Sequence, residues 1–96
     1  MARYSLSVKA AADVDGIFEY TFRTFGLEQA RTYLAGLHDQ LEALAAHPLR
    51  GRSADELAPG LRRSEYQAHI VFYLPIAGGV RVVRVLHRNM DAPRHL

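Results

Sequence analysis

Residues 61–87 read LRRSEYQAHIVFYLPIAGGVRVVRVLH, and this stretch decides the fold. β-branched and aromatic residues dominate it, and turn formers interrupt it at short intervals. The pattern predicts three strands: Leu61–Tyr66, Ala68–Leu74 and Val80–His87. Gly78-Gly79 supplies the positive backbone angles that a tight hairpin turn needs. Pro75 has no N–H for a ladder, so it belongs at a strand end or a sheet edge. Alternation puts His69, Val71 and Tyr73 on one face and Ile70, Phe72 and Leu74 on the other. In the last strand the same rule sets Val83 and Val85 against Val80, Val82 and Leu86. Both faces are therefore apolar, whereas an antiparallel sheet with one wet face is polar at every second position. A chain this short offers no spare element for the second face. The expectation is a protein partner there, with Val71, Tyr73, Val83 and Val85 among its contacts.

Upstream, the period changes. Arg3 to Ser7 alternates and predicts a short strand, and Ser7 then caps a helix through its hydroxyl. Ala10, Val14, Ile17, Phe18, Thr21 and Phe25 fall on one helical stripe. Asp13, Asp15 and Glu19 sit in the half that the helix dipole favours, and Gly26 ends the helix in a left-handed conformation. A second helix follows, with Ala30, Tyr33, Leu34, Leu37, Leu41 and Leu44 at three-four spacing. His47-Pro48 closes it, because the residue before Pro avoids helical angles. One Gly between two helices makes them antiparallel neighbours. Tyr20 falls on the flank of the first stripe. It is either an exposed interface anchor or packs on the second helix. Leu49–Gly60 reads as a loop in which Ser53 to Glu56 matches a capping box and predicts one helical turn. Residues 88–96 read as a polar, mobile tail.

A strand, two helices and three strands predict an α+β domain, its helical hairpin on one face of an antiparallel meander. At 96 residues the chain is one domain, 1–96. Its 49% hydrophobic and 23% charged residues are a globular balance. With no Cys, a disulfide scaffold, a thiolate zinc site and a thiol nucleophile are all excluded. No apolar run is long enough to span a bilayer, and no secretion signal is legible, so the expected location is the cytoplasm. The net charge of +2 is unevenly built, with Lys9 the only Lys among twelve basic residues. Of ten acids only Glu65 and Asp91 follow residue 60. The C-terminal third is therefore basic, which suits an anionic partner.

Several stretches together resemble the ParE toxins of the RelE/ParE superfamily. They are Tyr4-Ser5-Leu6-Ser7 with Ala11, Asp13, Ile17 and Tyr20; Gly26-Leu27-Glu28-Gln29-Ala30 with Tyr33 and Leu37; and Pro48, Gly51-Arg52 and Gly60-Leu61-Arg62. His69, Val71, Tyr73 and the closing run Arg84-Val85-Leu86-His87-Arg88-Asn89-Met90-Asp91 complete the set. The resemblance covers Tyr4 to about Leu96. It implies a helical hairpin on a small antiparallel sheet, and a toxin that acts on DNA gyrase. It also implies a ParD-like antitoxin that neutralises the toxin in a hetero-oligomer, with no cofactor.

The superfamily also holds RelE-type ribosome-dependent mRNA endonucleases. Such cleavage needs a base, an acid and cations around the phosphate, and Arg62, Arg84 and His87 are the available trio. RelE-type members usually carry several lysines and a Tyr near the C-terminus. Here there is one Lys, and Arg88 follows His87. The expectation is therefore no catalytic residue. A non-toxic antitoxin-binding module is the further alternative. No histidine has metal-site spacing with nearby acids, so no metal is expected, nor sequence-specific DNA binding by this chain alone. Toxicity is expected at the C-terminal end, in Arg84, His87, Arg88, Met90 and Asp91, because a polar segment the core does not need is free for function. Antitoxin contacts are expected at Tyr20 and the four strand residues named above.

Overall fold

Ser7 starts the first helix as read: its side chain accepts from the Ala10 N–H at 2.9 Å, and its own hydroxyl donates to the Val83 carbonyl. The computed structural model describes residues 2–96. Strand β1 (Arg3–Leu6) leads into α1 (Val8–Phe25), and α2 (Leu27–Ala46) follows after a single residue. That residue is Gly26, whose φ of 95° and ψ of 171° belong to glycine almost alone. The φ is positive as expected, but ψ is extended rather than left-handed helical. The chain therefore reverses there, and the Gly26 N–H still closes α1 onto the Phe22 carbonyl.

Strands β2 (Arg52–Ser53), β3 (Arg62–Tyr66), β4 (His69–Ile76) and β5 (Gly79–His87) follow, and the short helix α3 (Ala92–His95) ends the chain. The sheet order is β1-β5-β4-β3-β2. The antiparallel meander is as expected, but the whole sheet is mixed, because β1 lies parallel to β5. Gly79 permits this: its φ is 155°, and a Cβ there would stand 1.7 Å from the Arg3 carbonyl oxygen. β2 was not anticipated, because two residues carry no periodicity. The expected capping box is also absent. Ser53 bonds Asp55, not Glu56, and the Asp55 carboxylate accepts from the Gly60 N–H at 2.8 Å, which closes a tight loop.

Both helices pack on one face. Leu37, Leu41, Leu44 and Ala45 of α2 and Ala10 of α1 bury Val71, Tyr73, Val80, Val82 and Val85. Val71, Tyr73 and Val85, expected among the partner contacts, are core, at 0%, 0% and 2% exposure. Val71 and Tyr73 offer no surface in the isolated chain, and Val85 shows only a sliver in a groove beside α1, which counts against all three as antitoxin contacts. Tyr73 also ties the sheet to the end of α2, donating to the Pro48 carbonyl at 2.8 Å and accepting from the Gly51 N–H at 3.0 Å.

The second face is not bare either. Leu61, Ile70, Phe72 and Leu86 are buried there beneath Ala54, Leu57 and Ala58, and Ala92 of α3 packs on the same cluster. The loop after α2 thus supplies the cover that the sequence seemed to lack. Val83 belongs to this second cluster, half-buried. The reason is a bulge. Phe72 pairs with Arg84 but Tyr73 with Val82, so Val83 has no partner and alternation restarts beyond it. Val85 therefore shares a face with Val80 and Val82, and Val83 with Leu86, contrary to the simple period-two reading. The C-terminal residues fold back as a turn and α3 instead of trailing as a loose tail.

Candidate functional site

The bulge aims Arg84 at α1. Its Nε and Nη2 donate to the Asp13 carboxylate oxygens, both at 2.8 Å, and the Val85 N–H adds a third bond to that carboxylate at 2.9 Å. Both side chains are 14% exposed. Hydrogen bonding to Asp13 pushes the Arg84 pKa further up, so the guanidinium stays charged. Its Nη1 donates to the His95 carbonyl. Arg84, expected as a target contact, is thus held by the chain's own groups. Asp13 is a buried ion-pair partner rather than a dipole residue; no acid lies in the first turn of α1.

Beside this pair an open groove of about 630 Å³ runs between α1, α2 and the ends of β4 and β5. Ile17, Tyr20, Phe25 and Met90 give it apolar and aromatic walls, while Tyr33, His69 and His87 line its floor. Tyr20 is 66% exposed, which favours the interface-anchor reading over packing on α2. The Tyr33 hydroxyl shares a 2.5 Å hydrogen bond with His69 Nδ1. The His69 ring meets Tyr33 edge-on at 5.6 Å and His87 edge-on at 5.5 Å. Burial lowers the His69 pKa, the His87 charge lowers it further, and Asp13 opposes them. Burial likewise raises that of Tyr33. Both are therefore neutral near pH 7. His87 is exposed, and its Nδ1 accepts from the Asn89 N–H at 3.2 Å.

Four of the expected site residues, Tyr20, Val85, His87 and Met90, meet in this groove. Arg88 lines an adjoining hollow with Tyr33, Tyr66 and Gln67, and its guanidinium has no ion-pair partner among the described residues. Asp91 stands apart, at the residue before α3 with no side-chain bond to the helix N–H groups, and reaches Arg94 at 3.5 Å. Asp13, Tyr33 and His69 were missed. The available signal for Asp13 was an acid four residues before Ile17 on a packed helix flank, with two arginines, Arg81 and Arg84, inside an apolar strand to answer it.

The phosphate-binding trio does not assemble. Arg62 donates to the Gly51 and Leu49 carbonyls, while Arg84 is engaged with Asp13. Arg63 turns to the opposite face, over the Phe72 ring at 5.7 Å. Among the described residues no three His, Asp or Glu side chains converge for a metal, and no helix is long and apolar enough to cross a membrane.

In class, this is an α+β domain in which a helical hairpin lies on a small mixed sheet and the chain end folds over the far side. A solved structure described as a chromosomal ParDE TA system from P. aeruginosa shares that fold. Its TM-score is 0.76 over 91% of this chain and 96% of that one, at 20% identity. Sequence takes the assignment further. The family model for the ParE toxin of the type II toxin–antitoxin system parDE matches residues 4–92. Toxin ParE1 of Mycobacterium tuberculosis (strain ATCC 25618 / H37Rv) is 40% identical, over 99% of this chain and 98% of its own. Toxin ParE1 of Caulobacter vibrioides is also 40% identical, over 100% and 99%. Toxin ParE of Escherichia coli is 41% identical, over 95% and 89%. The chain belongs to the ParE toxin family of type II toxin–antitoxin systems.

Proposed function

We propose that this toxin acts by binding, with DNA gyrase as its target, and that a ParD-like antitoxin neutralises it in a hetero-oligomer. The observation that carries the reading is the furnishing of the groove. Aromatic and aliphatic walls, an exposed Tyr and a flexible Met suit the capture of a partner's side chains. The chemistry of RNA cleavage is poorly served, since the two candidate phosphate-gripping arginines are spent on internal contacts and His69 is neutral and engaged by Tyr33. His87, Arg88 and Met90 supply the target contacts, with Tyr20 as the aromatic anchor on the facing wall.

The antitoxin surface is proposed elsewhere. β1 is a sheet edge, and beside it an apolar ledge is lined by Tyr4, Leu6, Val14, Leu34 and Leu41. Phe22, stacked on Phe18, is 47% exposed on the same helix. A segment laid along this ledge would bury part of the hairpin within an interface of about 1,200–2,000 Å².

The test is inducible expression of the toxin alone and with its antitoxin. Filamentation with a DNA-damage response, reversed by the antitoxin, supports the reading. Rapid arrest of translation, with site-specific cleavage of mRNA on programmed ribosomes, would replace it with the RelE-type activity. No effect on growth would leave an antitoxin-binding module.

A further inference from the structure

The segment after β5 is held at two points. Its near end is fixed by the Arg88 N–H to the Ala68 carbonyl and the Met90 N–H to the His87 carbonyl, both at 2.9 Å. At its far end Arg84 Nη1 reaches the His95 carbonyl. Between these points the Arg94 and Leu96 N–H groups bond the Asp91 and Ala92 carbonyls, both at 3.1 Å, which ties the segment only to itself. Ala92 touches the second cluster, and the Arg94–Asp91 pair is largely exposed, at 82% and 60%, which makes it weak. Met90, 41% exposed, stands in this segment on the rim of the groove.

We propose that Asp13 and Arg84 form a latch that positions the C-terminal segment, so that Met90 is presented as a fixed wall of the groove. The proposal rests on the groove being the target surface. Arg84 is a positioning residue that lies outside the groove lining, while Asp13 stands at the groove's edge and orients Arg84. The Asp13 carboxylate takes two guanidinium bonds and the Val85 N–H, so it orients the arginine and secures its charge. The oriented guanidinium keeps one further nitrogen, Nη1, which donates to the His95 carbonyl. The fork geometry is what allows one side chain to serve both partners. Ordering a loop before binding removes that entropy from the cost of binding. The latch therefore acts on target affinity, while the antitoxin ledge beside β1 lies outside it.

The test uses the full chain in three forms: wild type, Asp13→Asn and Arg84→Lys. Lys keeps the positive charge beside Asp13, so the domain stays folded, but it lacks the planar fork that holds Asp13 and His95 at once. In both variants the amides of Arg94 and Leu96 should exchange about tenfold faster or more, and growth inhibition should fall by about tenfold. Antitoxin affinity should be unchanged. Unaltered tail exchange in a folded Arg84→Lys protein would overturn the latch. So would accelerated exchange with full toxicity. A wild type that does not inhibit growth would remove the proposed function instead, and tail exchange would still decide whether the latch exists.

Discussion

Tyr73 shows how one side chain can be core and connector at once. Its ring is fully buried, while its hydroxyl holds the Pro48 carbonyl and the Gly51 N–H. Tyr73→Phe keeps the packing and leaves both backbone groups unpartnered, so it should cost about 1–3 kcal/mol in urea unfolding. His69 adds a pH dependence. Its folded pKa lies below the ordinary 6.5 because burial and His87 disfavour the cation more than Asp13 favours it. On acidification the unfolded chain takes up the proton first. The contribution is complete above about pH 6.5, declines as the pH falls from there towards the folded pKa, and then levels off. Unfolding free energies measured between about pH 5 and 8 should show this decline. His69→Gln should flatten it; an unchanged slope would place the titration elsewhere.

Among the elements, the C-terminal segment departs furthest from its reading. The polar run 88–96 carries no period, yet it packs Ala92 on the second cluster and returns His95 to Arg84. Truncation after Arg88 removes Met90 and the latch acceptor. It should abolish growth inhibition and lower the melting temperature, because Leu86 and its neighbours lose part of their cover. Antitoxin binding should persist. A folded truncation that poisons cells at full strength would exclude this segment from the target surface. β2 and the 54–60 loop make the same point. Ala54, Leu57 and Ala58 look incidental in sequence, and their value as a lid comes from the short turns that Asp55 closes.

At the scale of the molecule, the proposed surfaces lie on different flanks of the hairpin. One is the ledge of Leu34 and Val14 beside β1, the other the groove of Tyr20 and Met90 at the sheet end. They should therefore separate by mutation. Phe22→Glu should weaken antitoxin binding by about tenfold or more, with little change in toxicity, and Tyr20→Ala should do the reverse. Calorimetry with the antitoxin beside a growth assay checks both. Equal effects of each variant on both readouts would mean a single shared surface.

The sequence by itself determined the order of the longer elements, the hairpin and the meander, because helical and strand periods are local properties of apolar spacing. The capped start at Ser7, the reversal at Gly26 and the turn at Gly78-Gly79 were legible for the same reason. The family was legible too, through motifs spread along the chain. Tertiary structure alone decided what lay between distant residues. It set β1 parallel to β5, because Gly79 lets the Arg3 backbone approach. It placed a bulge at Val83 that sets Val85 on the helix-covered face beside Val80 and Val82. It joined Asp13 to Arg84 and brought Tyr33, His69 and His87 onto one groove floor. None of these follows from spacing, because each depends on which residue stands opposite which across the sheet. A one-residue shift in that register moves every later side chain to the other face.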